Sequence, residues 1–259
     1  MLGKWRIQWL FDREVPVEVS EKDGMRYLHL GSSTVQSAMK VADPVELVLS
    51  YTRAMMGFLL FCSQPRHAVM VGLGGGSLTK FLYHRMTGTR ITVIENNAKV
   101  IQVARQCFVV PEDDERLQVE LGDGQAWVAA HTQSCDVLMV DGYDGHSQVE
   151  TLSTEDFYAA ARGALDPAGI LVVNLWSSDR RFDSYLQRIE RCFEALALVP
   201  AERRGNVIAL GFCCKPREAR WSRLRAHAAR LERRYGLEFG KILDGLRELN
   251  PHDDKGLRF

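Results

Sequence analysis

The chain has 259 residues, 46% of them hydrophobic and 25% charged, with 33 Lys plus Arg balanced by 33 Asp plus Glu. That size suits one large α/β domain, or one domain with a small appendage, and the composition excludes disordered, collagen-like and coiled-coil classes. Zero formal net charge argues against a dedicated nucleic-acid binder, which would carry a basic excess.

Met1-Leu2-Gly3-Lys4-Trp5-Arg6 is followed by no apolar core of a signal peptide. The apolar run Met55 to Cys62 falls far short of the roughly 20 residues a membrane span needs. The six cysteines (Cys62, Cys107, Cys135, Cys192, Cys213, Cys214) show neither CxxC nor metal-ligand spacing. They read as reduced thiols of a cytoplasmic protein with no metal site and no membrane partner. Cys213 and Cys214 would point to opposite faces of a strand.

In chain order, Trp5–Leu10 and Val15–Val19 read as strands, Glu21-Lys22-Asp23-Gly24 as a turn, and Met25–Leu30 and Thr34–Val41 as further strands. Tight connections make these an antiparallel hairpin module over residues 1–43. Asp43-Pro44-Val45-Glu46 then carries the pattern of a helix N-cap, a proline at the first helical position and a reciprocal carboxylate. Leu47, Tyr51, Ala54, Phe58 and Cys62 follow at helical spacing. From Ala68 onward, strands near 68–73, 90–95, 117–122, 136–141, 169–175, 195–200 and 207–213 alternate with helices over 77–86, 97–107, 124–131, 153–164 and 181–194. Near-continuous Val/Ile/Leu strands joined by helices indicate a mainly parallel sheet covered on both faces, filling residues 44–259. The tail from Arg217 reads as helical, with Trp221, Leu224, Ala228, Leu231 and Tyr235 on its apolar side and arginines in solvent.

Chemistry concentrates at strand ends. Val71-Gly72-Leu73-Gly74-Gly75-Gly76-Ser77 follows a strand and opens a helix, where glycines let a ligand approach backbone N–H groups. A dinucleotide fingerprint requires glycine where Ser77 stands. Gly72-x-Gly74-x-Gly76 is instead the form used for S-adenosyl nucleosides. The next strand ends at Glu95, placed to accept both ribose hydroxyls. The third ends in Gly122-Asp123-Gly124, with Asp123 suited to receive an adenine amine. Taken alone, each acid is equally at home as a helix cap; three in register at carboxyl ends of strands point to a ligand crevice. The fourth strand runs into Asp141-Gly142-Tyr143-Asp144-Gly145-His146, where two carboxylates could hold an ammonium and take a proton from an attacking amine. His146 reads as loop or pocket lining, and Glu112-Asp113-Asp114-Glu115 as a solvated run.

In this order, Gly72–Ser77, Glu95, Asp123-Gly124 and Asp141–Asp144 resemble the spermidine synthase (polyamine aminopropyltransferase) family. Leu30-Gly31, Val35-Gln36-Ser37 and Tyr51 are similar to its N-terminal β-hairpin domain and gatekeeping segment, and the likeness covers roughly residues 20–215. The resemblance implies a Rossmann-like S-adenosylmethionine-methyltransferase fold with a small N-terminal antiparallel β domain, assembled as a homodimer. It implies decarboxylated S-adenosylmethionine as co-substrate, contacted by Glu95, Asp123 and Gln36, and a small amine or polyamine as acceptor. Asp144 falls where the family's proton acceptor lies, and Asp141 would orient the amine. Tyr51, Tyr143 and Ser77 match substrate-pocket positions. One departure stands out: where the family reads Gly-Gly-Gly-Asp-Gly-Gly at the first turn, the Asp is expected at Ser77 and the next glycine at Leu78. That carboxylate normally holds the aminopropyl ammonium.

Two other readings stay open. An ordinary S-adenosylmethionine methyltransferase would tolerate serine near the donor carboxylate, and a nucleoside-binding scaffold would need no turnover. The charge distribution favours a cationic substrate. Residues 95–156 hold 13 acidic against 3 basic side chains, so neutrality is a cancellation between segments, and a negative cleft attracts sulfonium and amine.

Overall fold

The computed structural model describes residues 16–31, 34–142, 149–201, 205–217 and 219–259. The strand expected at Trp5–Leu10 lies outside the described residues. The first sheet has, among the described residues, three antiparallel strands in the order β1 (Val17–Lys22), β2 (Met25–Leu30), β3 (Val35–Lys40). Lys22 pairs with Met25, so the connection is the two-residue loop Asp23-Gly24, both at positive φ (53° and 74°). An Asp-Gly pair adopts that conformation readily and matches the strand twist. It carries β1 to Lys22, further than the expected end at Val19.

The expected helix at Asp43 does not start there. Glu46 pairs with Lys40 at 2.9 Å instead of reaching back to Asp43, and the chain stays in turns until Leu49, which is extended at φ −77°, ψ 136°. Helix α1 (Ser50–Met55) follows and runs into a 3-10 turn, Met56–Leu60. The capping sequence is satisfied by a surface ion pair, and burial of Leu47 draws the chain inward before it can coil.

The second sheet has seven strands among the described residues. They are β4 (His67–Val71), β5 (Arg90–Glu95), β6 (Leu117–Leu121), β7 (Cys135–Val140), β8 (Leu165–Trp176), β9 (Ala195–Pro200) and β10 (Asn206–Phe212), in spatial order β6-β5-β4-β7-β8-β10-β9. β10 is antiparallel to both its neighbours; the β6-β5-β4-β7-β8 pairings are all parallel. The expected bounds agree within a residue or two, except that β8 begins at Leu165.

Helices α2 (Ser77–Arg85), α3 (Ala98–Phe108), α4 (Gly124–Ala130), α5 (Glu155–Ala164), α6 (Phe182–Cys192), α7 (Trp221–Tyr235) and α8 (Phe239–Leu249) cover the sheet. Strand residues alternate between two cores. Ala68, Met70, Val137, Met139, Ile170 and Val172 pack with α1, α2, α7 and α8; Val69, Val71, Leu138, Val140, Leu171 and Val173 pack with α4, α5 and α6. Each strand is therefore buried on both faces, which explains its unbroken apolar sequence. Along α7, Trp221, Leu224, Ala228, Leu231 and Tyr235 are the buried residues, matching the expected apolar side. Cys213 is buried and Cys214 exposed, just past the end of β10.

Strand order reverses between β4 and β7, neighbours whose connections lead to opposite sides. In such sheets ligands bind beyond the carboxyl ends at this switch point.

Candidate active site

A cleft of about 570 Å³ opens at that point, between the hairpin sheet and the large sheet. The glycine turn forms its floor. Gly72, at φ +98°, leaves no room for a side chain: a Cβ there would sit 2.5 Å from the Asp141 carbonyl oxygen. Gly76, at φ +66°, would drive a Cβ into Val110. These positions fold β4 tightly into α2. The hairpin sheet closes the turn from outside, where the Gly75 N–H donates to Ser37 Oγ at 2.8 Å.

Glu95, 8% exposed, lines the cleft at the end of β5. Its Oε2 accepts from Leu73 N at 2.9 Å and Oε1 from Asn97 N at 3.0 Å. The carboxylate thus braces the glycine turn against the end of β5. Burial raises its pKa, and backbone N–H groups counter that rise. Asp123 caps α4, its Oδ1 accepting from Gln125 N at 2.7 Å and Ala126 N at 3.3 Å, and it also lines the cleft. Gly124 lies against Val71, where a Cβ would overlap the valine methyl.

Asp141 follows β7 and lines the cleft's far side. Asn174 Nδ2 donates to its Oδ1 at 2.8 Å, and Asn206 Nδ2 donates to Asn174 Oδ1 at 2.8 Å. Burial pushes the Asp141 pKa up, while hydrogen bonds from Asn174 and Tyr51 pull it down. The Tyr51 hydroxyl also lies 3.4 Å from the Gln36 carbonyl oxygen, so α1 and β3 meet over the site. β10 runs antiparallel to β8, which puts Asn206, at its start, opposite Trp176. Both residues line the cleft.

The cleft thus gathers Gln36, Tyr51, Gly72, Gly74, Glu95, Asp123, Gly124 and Asp141. Tyr143 and Asp144 lie outside the described residues. Gly76 is set behind the cleft surface. Ser77 is placed differently from the expectation: its hydroxyl donates to the Ala38 carbonyl at 3.5 Å and does not line the cleft. Counted from the end of β4 at Val71, the family's six-residue turn lays its Asp on Gly75, not on Ser77. A Cβ at Gly75 would come within 2.9 Å of Ser37 Cβ and 3.0 Å of Phe108 Cδ1, so no carboxylate fits there.

The sequence does not single out Asn174 and Asn206. Their signal is faint: one asparagine inside Ile170-Leu171-Val172-Val173-Asn174-Leu175, where a buried amide demands partners.

The sheet order and the strand-end cleft define a Rossmann-like protein of the S-adenosylmethionine-methyltransferase fold. Two solved structures are similar in this respect. A probable spermidine synthase from Corynebacterium glutamicum aligns with TM-score 0.72 at 20% identity over 83% of each chain. Human methyltransferase-like protein 13, in complex with SAH, aligns with TM-score 0.65 at 24% identity over 79% of this chain and 96% of that one. The sequence profile of the spermine/spermidine synthase domain matches residues 48–198. The polyamine aminopropyltransferase of Chromobacterium violaceum is 42% identical over 235 residues, 90% of each chain. That of Neisseria meningitidis serogroup B is 40% identical over 241 residues, 92% of each. The chain belongs to the spermine/spermidine synthase family.

Proposed function

We propose that the protein is an aminopropyltransferase, moving the aminopropyl group of decarboxylated S-adenosylmethionine to a small amine or polyamine. The observation that carries the reading is the cleft itself, in which Glu95, Asp123 and Asp141 converge on one glycine turn. Gly72, Gly74, Gly76 and Gly124 shape the nucleoside seat. Glu95 takes the ribose hydroxyls, Asp123 the adenine amine, and Gln36 the donor.

The acceptor nitrogen attacks the methylene carbon beside the sulfonium. A C–N bond forms as the C–S bond breaks, the electron pair goes to sulfur, and methylthioadenosine leaves as a neutral thioether. The amine proton passes to Asp141 or Asp144, with Tyr51 bordering the acceptor. A buried carboxylate with a raised pKa is a better proton acceptor than an exposed one. The remaining acceleration comes from holding nucleophile and sulfonium in line. The acidic strand-end segments draw in both cations.

Methyl transfer from S-adenosylmethionine is the second reading, favoured by one observation: Gly75 leaves the glycine turn without the carboxylate that would hold an aminopropyl ammonium. Calorimetry separates the two. Aminopropyl transfer requires methylthioadenosine to bind more tightly than S-adenosylhomocysteine, with product formed from decarboxylated donor and putrescine or spermidine. The reverse preference would establish methyl transfer, and binding of neither at high micromolar concentration would remove the nucleoside reading. We further propose a cytoplasmic homodimer built of a hairpin domain, 1–43, and a catalytic domain, 44–259. Sedimentation tests the dimer. No helix among the described residues is long and apolar enough to cross a membrane.

A further inference from the structure

Lys80 is 1% exposed, one turn into α2, and its Nζ donates to the Phe108 carbonyl at 2.7 Å. Burial pushes its pKa down to about 8, so the fold carries a desolvation cost to keep an amine there. The carbonyl it reaches is at the C-terminus of α3, and the next residue is strained: Val109 sits at φ 58°, ψ 33°. A β-branched side chain in that region is a genuine outlier. A second cation meets the same helix end. Arg26 of β2 donates to the Cys107 carbonyl, and Leu28 and Met39 of the hairpin sheet pack on Phe108.

This end of α3 is also the wall behind the glycine turn. The Phe108 ring occupies the space beside Gly75, with Cδ1 3.0 Å from where a Cβ would stand, and Val110 occupies the space beside Gly76. Ser37 closes the other side. The turn is therefore gripped between the hairpin and residues 108–110, and Lys80 is the tie from α2 that holds those residues in place.

We infer that Lys80 is a positioning residue for the donor nucleoside: by fixing the Phe108 carbonyl and the strained Val109 cap, it sets the shape of the Gly74–Gly76 turn and couples the hairpin sheet to the cleft. The inference rests on the reading that this turn seats the nucleoside. Lys80 touches no ligand in this role; it acts through Phe108 and Val110.

The test measures methylthioadenosine binding by calorimetry in the full-length protein, alongside thermal unfolding and steady-state kinetics with varied donor and acceptor. Wild type that fails to bind removes the underlying reading, not this inference. With wild type binding, Lys80→Met should remain folded, raise Kd about tenfold, and raise donor KM while acceptor KM stays constant. Adding Val109→Gly, which relieves the strained cap, should recover part of that loss. A Kd for Lys80→Met equal to wild type overturns the inference, as does an equal rise in both KM values. If Lys80→Met does not fold, Lys80→Gln, neutral and one atom too short to reach the Phe108 carbonyl, takes its place. It should bind more weakly than wild type, and unchanged binding again overturns the inference.

Discussion

Asn174 Nδ2 donates to Asp141 Oδ1 at 2.8 Å, and the orientation of that amide is set from behind by Asn206, whose own Nδ2 donates to Asn174 Oδ1. With its oxygen engaged, Asn174 can offer Asp141 only donors, which favour the ionised carboxylate. Burial works in the opposite direction and is the larger effect. Asn174→Leu removes one of the two groups that hold the Asp141 pKa down, so that pKa should rise further. If Asp141 must be ionised for turnover, the acidic limb of kcat/KM moves to higher pH in the variant. A pH–rate profile checks this, and coincident profiles would show that Asp141 does not govern that limb.

The same carboxylate makes a stability prediction of definite sign. Its folded pKa lies above the ordinary value of 3.8, so ionisation costs more in the folded than in the unfolded chain. Wild type therefore loses stability as pH rises above 3.8, until the pH has passed the folded pKa. Asp141→Asn removes the charge and keeps an oxygen for Asn174. It should raise Tm at pH 7, with the gain vanishing as pH falls below 3.8, while turnover drops at least about 100-fold. Thermal melts across pH, paired with an aminopropyl-transfer assay, read both effects.

Much of this architecture is legible in the residues because double burial imposes a continuous apolar code. Ala68 to Val71 and Ile170 to Val173 each feed both cores, so their positions are recoverable without tertiary information. The strand-end acids Glu95, Asp123 and Asp141 are legible for a related reason: a carboxylate directly after an apolar strand marks the switch-point crevice. Features that depend on long-range pairing are not. Asp43 to Glu46 has the local pattern of a helix start, yet Lys40 takes the Glu46 carboxylate and α1 begins only at Ser50. Ser77 takes the turn's ligand position only when the strand is run on to Leu73; β4 ends at Val71, and the hairpin's Ala38 carbonyl receives the Ser77 hydroxyl. The pairing of Asn174 with Asn206 needs the antiparallel register of β8 and β10, across 32 residues of chain.

Gly72 is the position where backbone shape and site geometry coincide. Its φ of +98° is open to glycine and strained for any other residue, and an added Cβ would lie 2.5 Å from the Asp141 carbonyl oxygen. The opposing atom is backbone, so the neighbour cannot simply rotate away. Strain of this kind costs roughly 1–3 kcal/mol before the steric overlap is counted. Gly72→Ala should therefore destabilise the protein by about 3 kcal/mol in chemical denaturation and abolish nucleoside binding, since the displaced segments carry Leu73 and Asp141 together. A variant with wild-type stability would mean that the β4–α2 turn is softer than its geometry implies.

Ser37 supplies the opposite kind of test, because its contact is a single hydrogen bond. Its Oγ accepts from the Gly75 N–H at 2.8 Å, and the same oxygen would be 2.7 Å from a Cβ at Gly74. Ser37→Ala keeps the packing of Cβ against the turn and leaves a buried N–H without its acceptor, a loss of roughly 1–3 kcal/mol. Part of that loss can be avoided if the turn relaxes toward the cleft and finds water, and the relaxed turn no longer matches the nucleoside. The expected result is a small decrease in Tm together with an approximately tenfold increase in the Kd of methylthioadenosine, and an acceptor KM equal to wild type. A fall in Tm with no change in Kd would assign Ser37 to stability alone. It would also place the rigidity of the turn on the Phe108 and Val110 side, where Lys80 holds it.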